Sequence, residues 1–230
     1  MRVAVATITW ARDEAEGALL RHSIARLLDS GLPVVVSDAG TDPSFLEFLR
    51  RQASLVVVVP SARGLVPQVQ AAMQRAGAFE TPFVFYTESD KEFFFAARMK
   101  DFLDRATGSE GPVVTLAARS DASLATYPAT QQFTEGFING LCSETFGVNG
   151  DYSYGPFLMP RALLDAVAAV KPTLGWGWRH ALFAAAHRRG IPIRHIVDDY
   201  PCPEDQRVEL ASDRTHRLRQ LGQNILGLVD

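Results

Sequence analysis

Phe83-Val84-Phe85-Tyr86-Thr87-Glu88-Ser89-Asp90 is an apolar, aromatic and β-branched run that ends abruptly in two carboxylates one residue apart. Such a run reads as a buried strand whose last residues emerge at the carboxyl edge of a sheet. Period-2 geometry sends Glu88 and Asp90 to the same side there. Two carboxylates on one side repel unless a cation sits between them, and hard oxygen ligands suit Mg²⁺ or Mn²⁺. A metal so placed can bind a diphosphate and stabilise its departure. The same residues also fit a polar strand end followed by a helix N-terminus, where acids sit well against the dipole.

Outward from this stretch, the first half of the chain alternates strands and helices. Val3 to Thr9 reads as a buried strand. Asp13 is an N-cap with Glu16 three residues on, and it opens a helix whose apolar face holds Leu20, Ile24, Leu27 and Leu28 before Gly31. Pro33 to Ser37 is a second strand, and Asp42-Pro43 starts a short helix through Arg51. Leu55 to Val59 gives a third strand, Val66 to Ala76 a third helix, and Phe83 to Thr87 the fourth strand. Three β-α units in succession predict an α/β fold, a doubly wound, mostly parallel sheet with right-handed crossovers. Ligands of such sheets lie outside the carboxyl ends of the strands. Those ends carry Thr9 and Arg12, then Asp38, then Arg63, then Glu88 and Asp90.

The second half is less regular. A helix over 96–106 precedes a strand at Val113 to Ala117, and residues 119–156 are rich in Ser, Thr, Gly, Asn and aromatics with weak periodicity. Pro160 opens a helix to Val170, and Gly175-Trp176-Gly177-Trp178-Arg179-His180 leads into another that ends at Gly190. Ile191 to Val197 is a late strand and Ser212 to Leu228 a final amphipathic helix. No Pro-, Gly- or Ser-rich linker splits the chain, so residues 1–230 are expected to form one domain of two halves, 1–110 and 111–230.

Composition narrows the class. The 230 residues are 47% hydrophobic and 21% charged, enough for one sizeable core. A net charge of −3 and a pI near 6.0 argue against general nucleic-acid binding. Cys142 and Cys202 lack metal-ligand spacing, no apolar run approaches a membrane span, and Met1 to Thr9 has no signal-peptide anatomy. A cytoplasmic setting is the resulting expectation. Thr9-Trp10-Ala11-Arg12 has no Gly-rich turn, which removes the nicotinamide and P-loop readings.

With these residues in hand, the chain resembles a GT-A-fold glycosyltransferase over roughly residues 2–207. Val36-Ser37-Asp38-Ala39-Gly40-Thr41-Asp42 is similar to the second-strand segment whose Asp helps hold the nucleotide. Arg63-Gly64 through Gln68 resembles the segment beside the nucleotide and sugar, and Glu88-Ser89-Asp90 occupies the place of the metal-binding DxD. Tyr154 to Arg161, Trp176 to Arg179, and Ile196 to Arg207 are similar in order and spacing to mannosylglycerate synthase-like enzymes. There are departures. Glu88 stands for an Asp, Lys91 follows the motif, Arg179 stands where the family has an acid, and Glu204 and Asp205 stand where it has a metal-binding His.

The resemblance implies a nucleotide-sugar donor, a small-molecule acceptor that is possible as an anion, and a Mg²⁺ or Mn²⁺ ion. Asp90 is the first choice for ligating the metal, with Glu88 touching it through water or holding the ribose, and Asp205 as a further candidate. Thr9, Arg12, Asp38, Arg63, Gln68 and Glu88 are the donor-side candidates, the guanidinium groups suiting phosphate oxygens and Asp38 a base N–H. Asp151 and His180 are candidates for a general base; a retaining enzyme needs none. Tyr154, Trp178 and Arg179 are the acceptor-side candidates, Arg179 for an anionic group because a guanidinium stays protonated. Other readings stay open. Asp38 also fits plain turn chemistry, His180 a helix start, Trp176 and Trp178 core filling, and Arg214, Arg217 and Arg219 a solvated face. A homodimer is an open expectation, as is a catalytically inactive relative that binds a nucleotide or a partner.

Overall fold

A computed structural model describes residues 2–11, 13–40, 42–60, 62–108 and 110–230, the side chain of Asp205 excepted. Among these residues seven strands form one sheet: β1 (Val3–Thr9), β2 (Val34–Asp38), β3 (Leu55–Val58), β4 (Phe83–Glu88), β5 (Val114–Arg119), β6 (Phe157–Pro160) and β7 (Ile193–Asp198). Their order is β3-β2-β1-β4-β6-β5-β7. β1 pairs in parallel with β2 and β4, β2 with β3, and β5 with β7. β6 runs antiparallel to both β4 and β5. The doubly wound, mostly parallel sheet expected from the β-α repeat is present, and the strand order reverses between the parallel neighbours β1 and β4, where such sheets open a crevice.

The helices are α1 (Glu14–Leu28), α2 (Pro43–Arg51), α3 (Leu65–Gly77), α4 (Glu92–Ala97), α5 (Met99–Thr107), α6 (Asp121–Leu124), α7 (Ala129–Phe146), α8 (Leu164–Ala169), α9 (Trp178–Arg188) and α10 (Ala211–Val229). Local chemistry accounts for several of their ends. Asp13 accepts the Glu16 N–H at 2.9 Å to cap α1, and Asp42 accepts the Ser44 N–H at 2.8 Å ahead of Pro43 to cap α2. Gly147 closes α7 in the left-handed region at φ +70°. The helix expected over 96–106 is two, α4 and α5, broken at Arg98.

Side-chain alternation along β4 builds a core on each face of the sheet. Val84 and Tyr86 join Ala4, Ala6, Val69, Met73, Leu116, Phe157, Trp178 and Phe183 on one face. Phe83 and Phe85 join Val3, Val5, Val34, Val36, Phe94, Phe102 and Leu158 on the other. Fully burying each large apolar side chain contributes about 1.5–3 kcal/mol, so β4 is anchored from both sides just before its acidic end. No described helix is long and apolar enough to cross a membrane.

Candidate active site

β4 delivers Glu88 to the sheet edge, and a tight turn through Ser89, Asp90 and Lys91 leads into α4. The two carboxylates then part company. Glu88 Oε1 accepts a hydrogen bond from Arg179 Nη1 at 2.9 Å, while Oε2 lies buried under the backbone of Gly155 without a partner. Gly155 sits at φ +128°, and any Cβ there would collide with that oxygen. Asp90, by contrast, is 53% exposed, with Lys91 Nζ at 3.6 Å. The Lys91 side chain is 24% exposed, and its ammonium lies 5.4 Å over the Tyr154 ring, which stacks on Tyr200 at 4.6 Å. Burial works to lower the Lys91 pKa, and the Asp90 and Glu88 carboxylates more than offset it, leaving it above the ordinary lysine value.

Behind this group Arg119, at the end of β5, is 1% exposed. It donates from Nε to Asp151 Oδ2 at 2.7 Å, and from Nη2 to Asp151 Oδ1 at 3.0 Å and to Glu135 Oε2 at 2.6 Å. Its guanidinium lies 4.6 Å over the Tyr127 ring. Burial works to raise the Asp151 pKa, but the charge and hydrogen bonds of Arg119 hold it below the usual carboxylate value. Together these side chains wall a cleft of about 550 Å³. Glu88, Asp90, Lys91, Tyr154 and Arg179 line it, with Trp176 ahead of α9 and His216, Arg217 and Gln220 from α10.

Next to it, Thr9, Asp38 and Gln68 come together at the carboxyl ends of β1 and β2. The Thr9 hydroxyl donates to Asp38 Oδ2 at 2.7 Å, the Gly40 N–H donates to Asp38 Oδ1 at 2.7 Å, and Gln68 Nε2 donates to the carbonyls of Thr9 and Ser37. All three are buried, and both Asp38 oxygens are taken up by the chain itself. Asp38 therefore shapes the loop after β2, each of its oxygens already accepting one hydrogen bond from the chain. Arg63 is exposed on the loop after β3. Arg12 and the Asp205 side chain lie outside the described residues.

Other sequence expectations need correcting. Asp151 is held by Arg119 in a buried ion pair and is not free to take a proton. His180 is fully buried, and its ring nitrogens have no partner among the described residues. Burial, with the Arg179 charge added, pushes its pKa down to about 3, and it does not line the cleft. Trp178 is fully buried with its ring edge-on to Tyr86 at 4.8 Å, so it is core. The aromatic wall is Trp176, whose ring lies 6.0 Å from the Arg179 guanidinium. His195 packs T-shaped against Tyr152 at 4.6 Å, away from the cleft lining. Sequence reasoning missed Arg119, Tyr127, Gln131 and Glu135 and read Arg217 mainly as a solvated face. The one available signal was the Gln131/Glu135 spacing, which puts both on one face of a helix.

No protein-family model matches the chain, and no curated protein does. Solved structures do match. Glucosyl-3-phosphoglycerate synthase from Mycobacterium tuberculosis, in complex with Mn²⁺, uridine diphosphate and glucosyl-3-phosphoglycerate, superposes with a TM-score of 0.60 at 17% identity. The match covers 99% of this chain and 78% of that one. The same synthase with Mn²⁺, UDP-glucose and phosphoglyceric acid gives 0.61 at 15% identity, over 99% and 78% of the two chains. A mycobacterial protein gives 0.65 at 15%, over 99% and 74%. The fold is that of a GT-A glycosyltransferase. In that frame Glu88-Ser89-Asp90 stands at the end of the fourth strand of the GT-A sheet, and the cleft opens beside it. The likeness is consistent with the mannosylglycerate synthase-like pattern read from the sequence, and at these identities it establishes the GT-A fold alone.

Proposed function

We infer that the chain moves a sugar from a nucleotide-sugar donor to a small anionic acceptor with the help of a divalent ion. The observation that carries this reading is the convergence of Asp90, Lys91 and Arg179 on one cleft at the carboxyl edge of β4. Neighbours of this fold were solved with Mn²⁺, UDP-glucose and phosphoglyceric acid. The donor set fits a hard cation in one respect. Asp90 offers an exposed carboxylate, and Mg²⁺-type ions are commonly held by one or two carboxylates plus substrate phosphates. Among the described residues no group of three His, Cys, Asp or Glu side chains could hold a metal ion, so the diphosphate itself would complete the shell. When bound, such an ion neutralises charge developing on the diphosphate leaving group.

The chain's own residues supply the rest. Lys91 and Arg179 place fixed positive charge where the diphosphate would lie. Trp176 offers a flat apolar wall to a sugar face. Arg217, 3.7 Å from Glu135 on the α10 side of the cleft, is the guanidinium placed to meet a carboxylate or phosphate on the acceptor.

The test is release of nucleoside diphosphate from a nucleotide-sugar panel with Mn²⁺, followed in wild type and Asp90→Ala. Turnover is expected with at least one donor, falling on the order of 100-fold in the variant, whose unliganded melting temperature stays close to wild type. A variant that keeps full Mn²⁺-dependent turnover would remove Asp90 from the metal site. A second reading, binding without turnover, draws support from the Glu88–Arg179 ion pair, which occupies half of the acidic motif. Tight nucleotide binding with no release from any donor would select it.

A further inference from the structure

Lys91 follows the acidic motif directly, and its place in the cleft raises a question about charge. Glu88 is spoken for by Arg179 at 2.9 Å, and Asp90 faces the Lys91 ammonium at 3.6 Å. The Arg119 charge deeper in the wall is matched by Asp151 and Glu135. Each carboxylate of the cleft floor already has a cation beside it. A pair of carboxylates left unbalanced is what draws a divalent ion; here the protein has supplied the compensation itself. The Lys91 ammonium is also fixed in place. It lies 5.4 Å over the Tyr154 ring, and Tyr154 is backed by Tyr200 in a parallel stack with an interplanar angle of 8°. Lysine has three donors, and a carboxylate at 3.6 Å leaves them free for an incoming phosphate oxygen.

We propose that Lys91 is a diphosphate-binding residue, a built-in cation that holds the nucleotide diphosphate in the absence of metal. This rests on the donor reading above and deepens it, dividing the leaving-group charge between a permanent ammonium and an exchangeable ion at Asp90. An ion at Asp90 has to approach within a few ångströms of that ammonium, so metal and Lys91 partly oppose each other in the empty cleft and cooperate only once a diphosphate lies between them.

Titration calorimetry with uridine diphosphate and guanosine diphosphate, in chelator and in Mn²⁺, decides the matter using wild type, Lys91→Gln and Lys91→Arg. Wild type is expected to bind one of the two in chelator. Lys91→Gln should bind it about tenfold to a hundredfold more weakly there, with a smaller deficit in Mn²⁺, and Lys91→Arg should recover most of the chelator-resistant affinity. Wild-type binding that disappears completely in chelator but appears with Mn²⁺ would overturn the role of Lys91 and leave the donor reading standing. So would a Lys91→Gln chain that binds as wild type does in chelator. Failure of both nucleotides to bind under every condition would overturn the donor reading together with this one.

Discussion

Arg119→Leu is expected to be the most destabilising single substitution in the cleft wall, lowering stability by about 3–5 kcal/mol. The reason is what it leaves behind. Arg119 donates to both oxygens of Asp151 and to Glu135, and its side chain is 1% exposed. Leucine roughly fills the aliphatic part of the space but satisfies neither carboxylate. Asn139 and the Ser153 N–H still donate to Asp151 Oδ1, and Gln131 still donates to Glu135, so both keep hydrogen bonds; Asp151 loses its counter-charge, and Glu135 keeps only Arg217 at 3.7 Å. For a chain of this size the loss corresponds to a fall in Tm on the order of 10 °C.

The pH dependence carries a sign. In the wild type the Asp151 pKa is depressed, so its contribution is present above the ordinary carboxylate pKa and is lost as pH falls through the folded value. In Arg119→Leu the guanidinium is gone and burial is opposed only by the remaining hydrogen bonds, which shifts Asp151 toward the protonated acid. The variant's deficit should therefore be largest near neutral pH and shrink as pH falls toward the carboxylate range. Urea denaturation of both proteins across that range checks this. A deficit below about 1 kcal/mol at neutral pH, or one that grows on acidification, would mean the network is not what fixes this wall.

The second large effect lies where α10 meets the loop before α9. Gly177 and Gly227 bring two backbones into direct contact, and a Cβ on either would collide with the backbone opposite. Gln223 Oε1 accepts the Trp176 N–H at 3.0 Å at the same junction. Gly227→Ala should cost about 1–3 kcal/mol through overpacking, because neither element can yield without moving the other. Since α10 carries His216, Arg217 and Gln220 into the cleft, the same substitution should weaken acceptor use more than donor binding. The double variant with Gly177→Ala should lose less than the two single losses combined, one displacement relieving both collisions. Denaturation with acceptor and donor titrations of the three variants measures it. Wild-type stability in Gly227→Ala would show that the contact has slack.

Much of the fold was legible because its first half repeats one physical pattern. β1 to β4 are uniform apolar runs, and Asp13, Asp42 and Pro43 announce their helices. α7 was not legible, since its pattern is inverted. Its first half buries Gln131, Thr134 and Glu135 while Phe133 is 71% exposed, so the apolar inner stripe is confined to Ile138, Cys142 and Phe146 in its second half. The inversion follows from the cleft, whose wall must be polar. β6 escaped for a different reason: four residues between a glycine and a 3₁₀ turn carry too little periodicity to register. The strand read as ending at Ala117 runs on to Arg119, because a buried arginine is recognisable only once its two carboxylates are in place.

The candidate site was readable by position and less so by role. Glu88 and Asp90 mark the right sheet edge, but their spacing implies a shared cation, and the fold gives one of them to Arg179. Trp176 and Trp178 are chemically alike in the sequence. The left-handed backbone of Gly175 at φ +52° and the start of α9 turn the first toward the cleft and the second into the core. His180 and Asp151 had suitable chemistry for a base, and burial removes both.

The account stands on the nucleotide diphosphate lying at the carboxyl edge between β1 and β4, and a crystal of the chain grown with uridine diphosphate and Mn²⁺ tests that directly. The expected density has the diphosphate within contact of Lys91 and Asp90, with the Glu88–Arg179 pair intact beside it. Nucleotide bound elsewhere, with that edge empty, would contradict it.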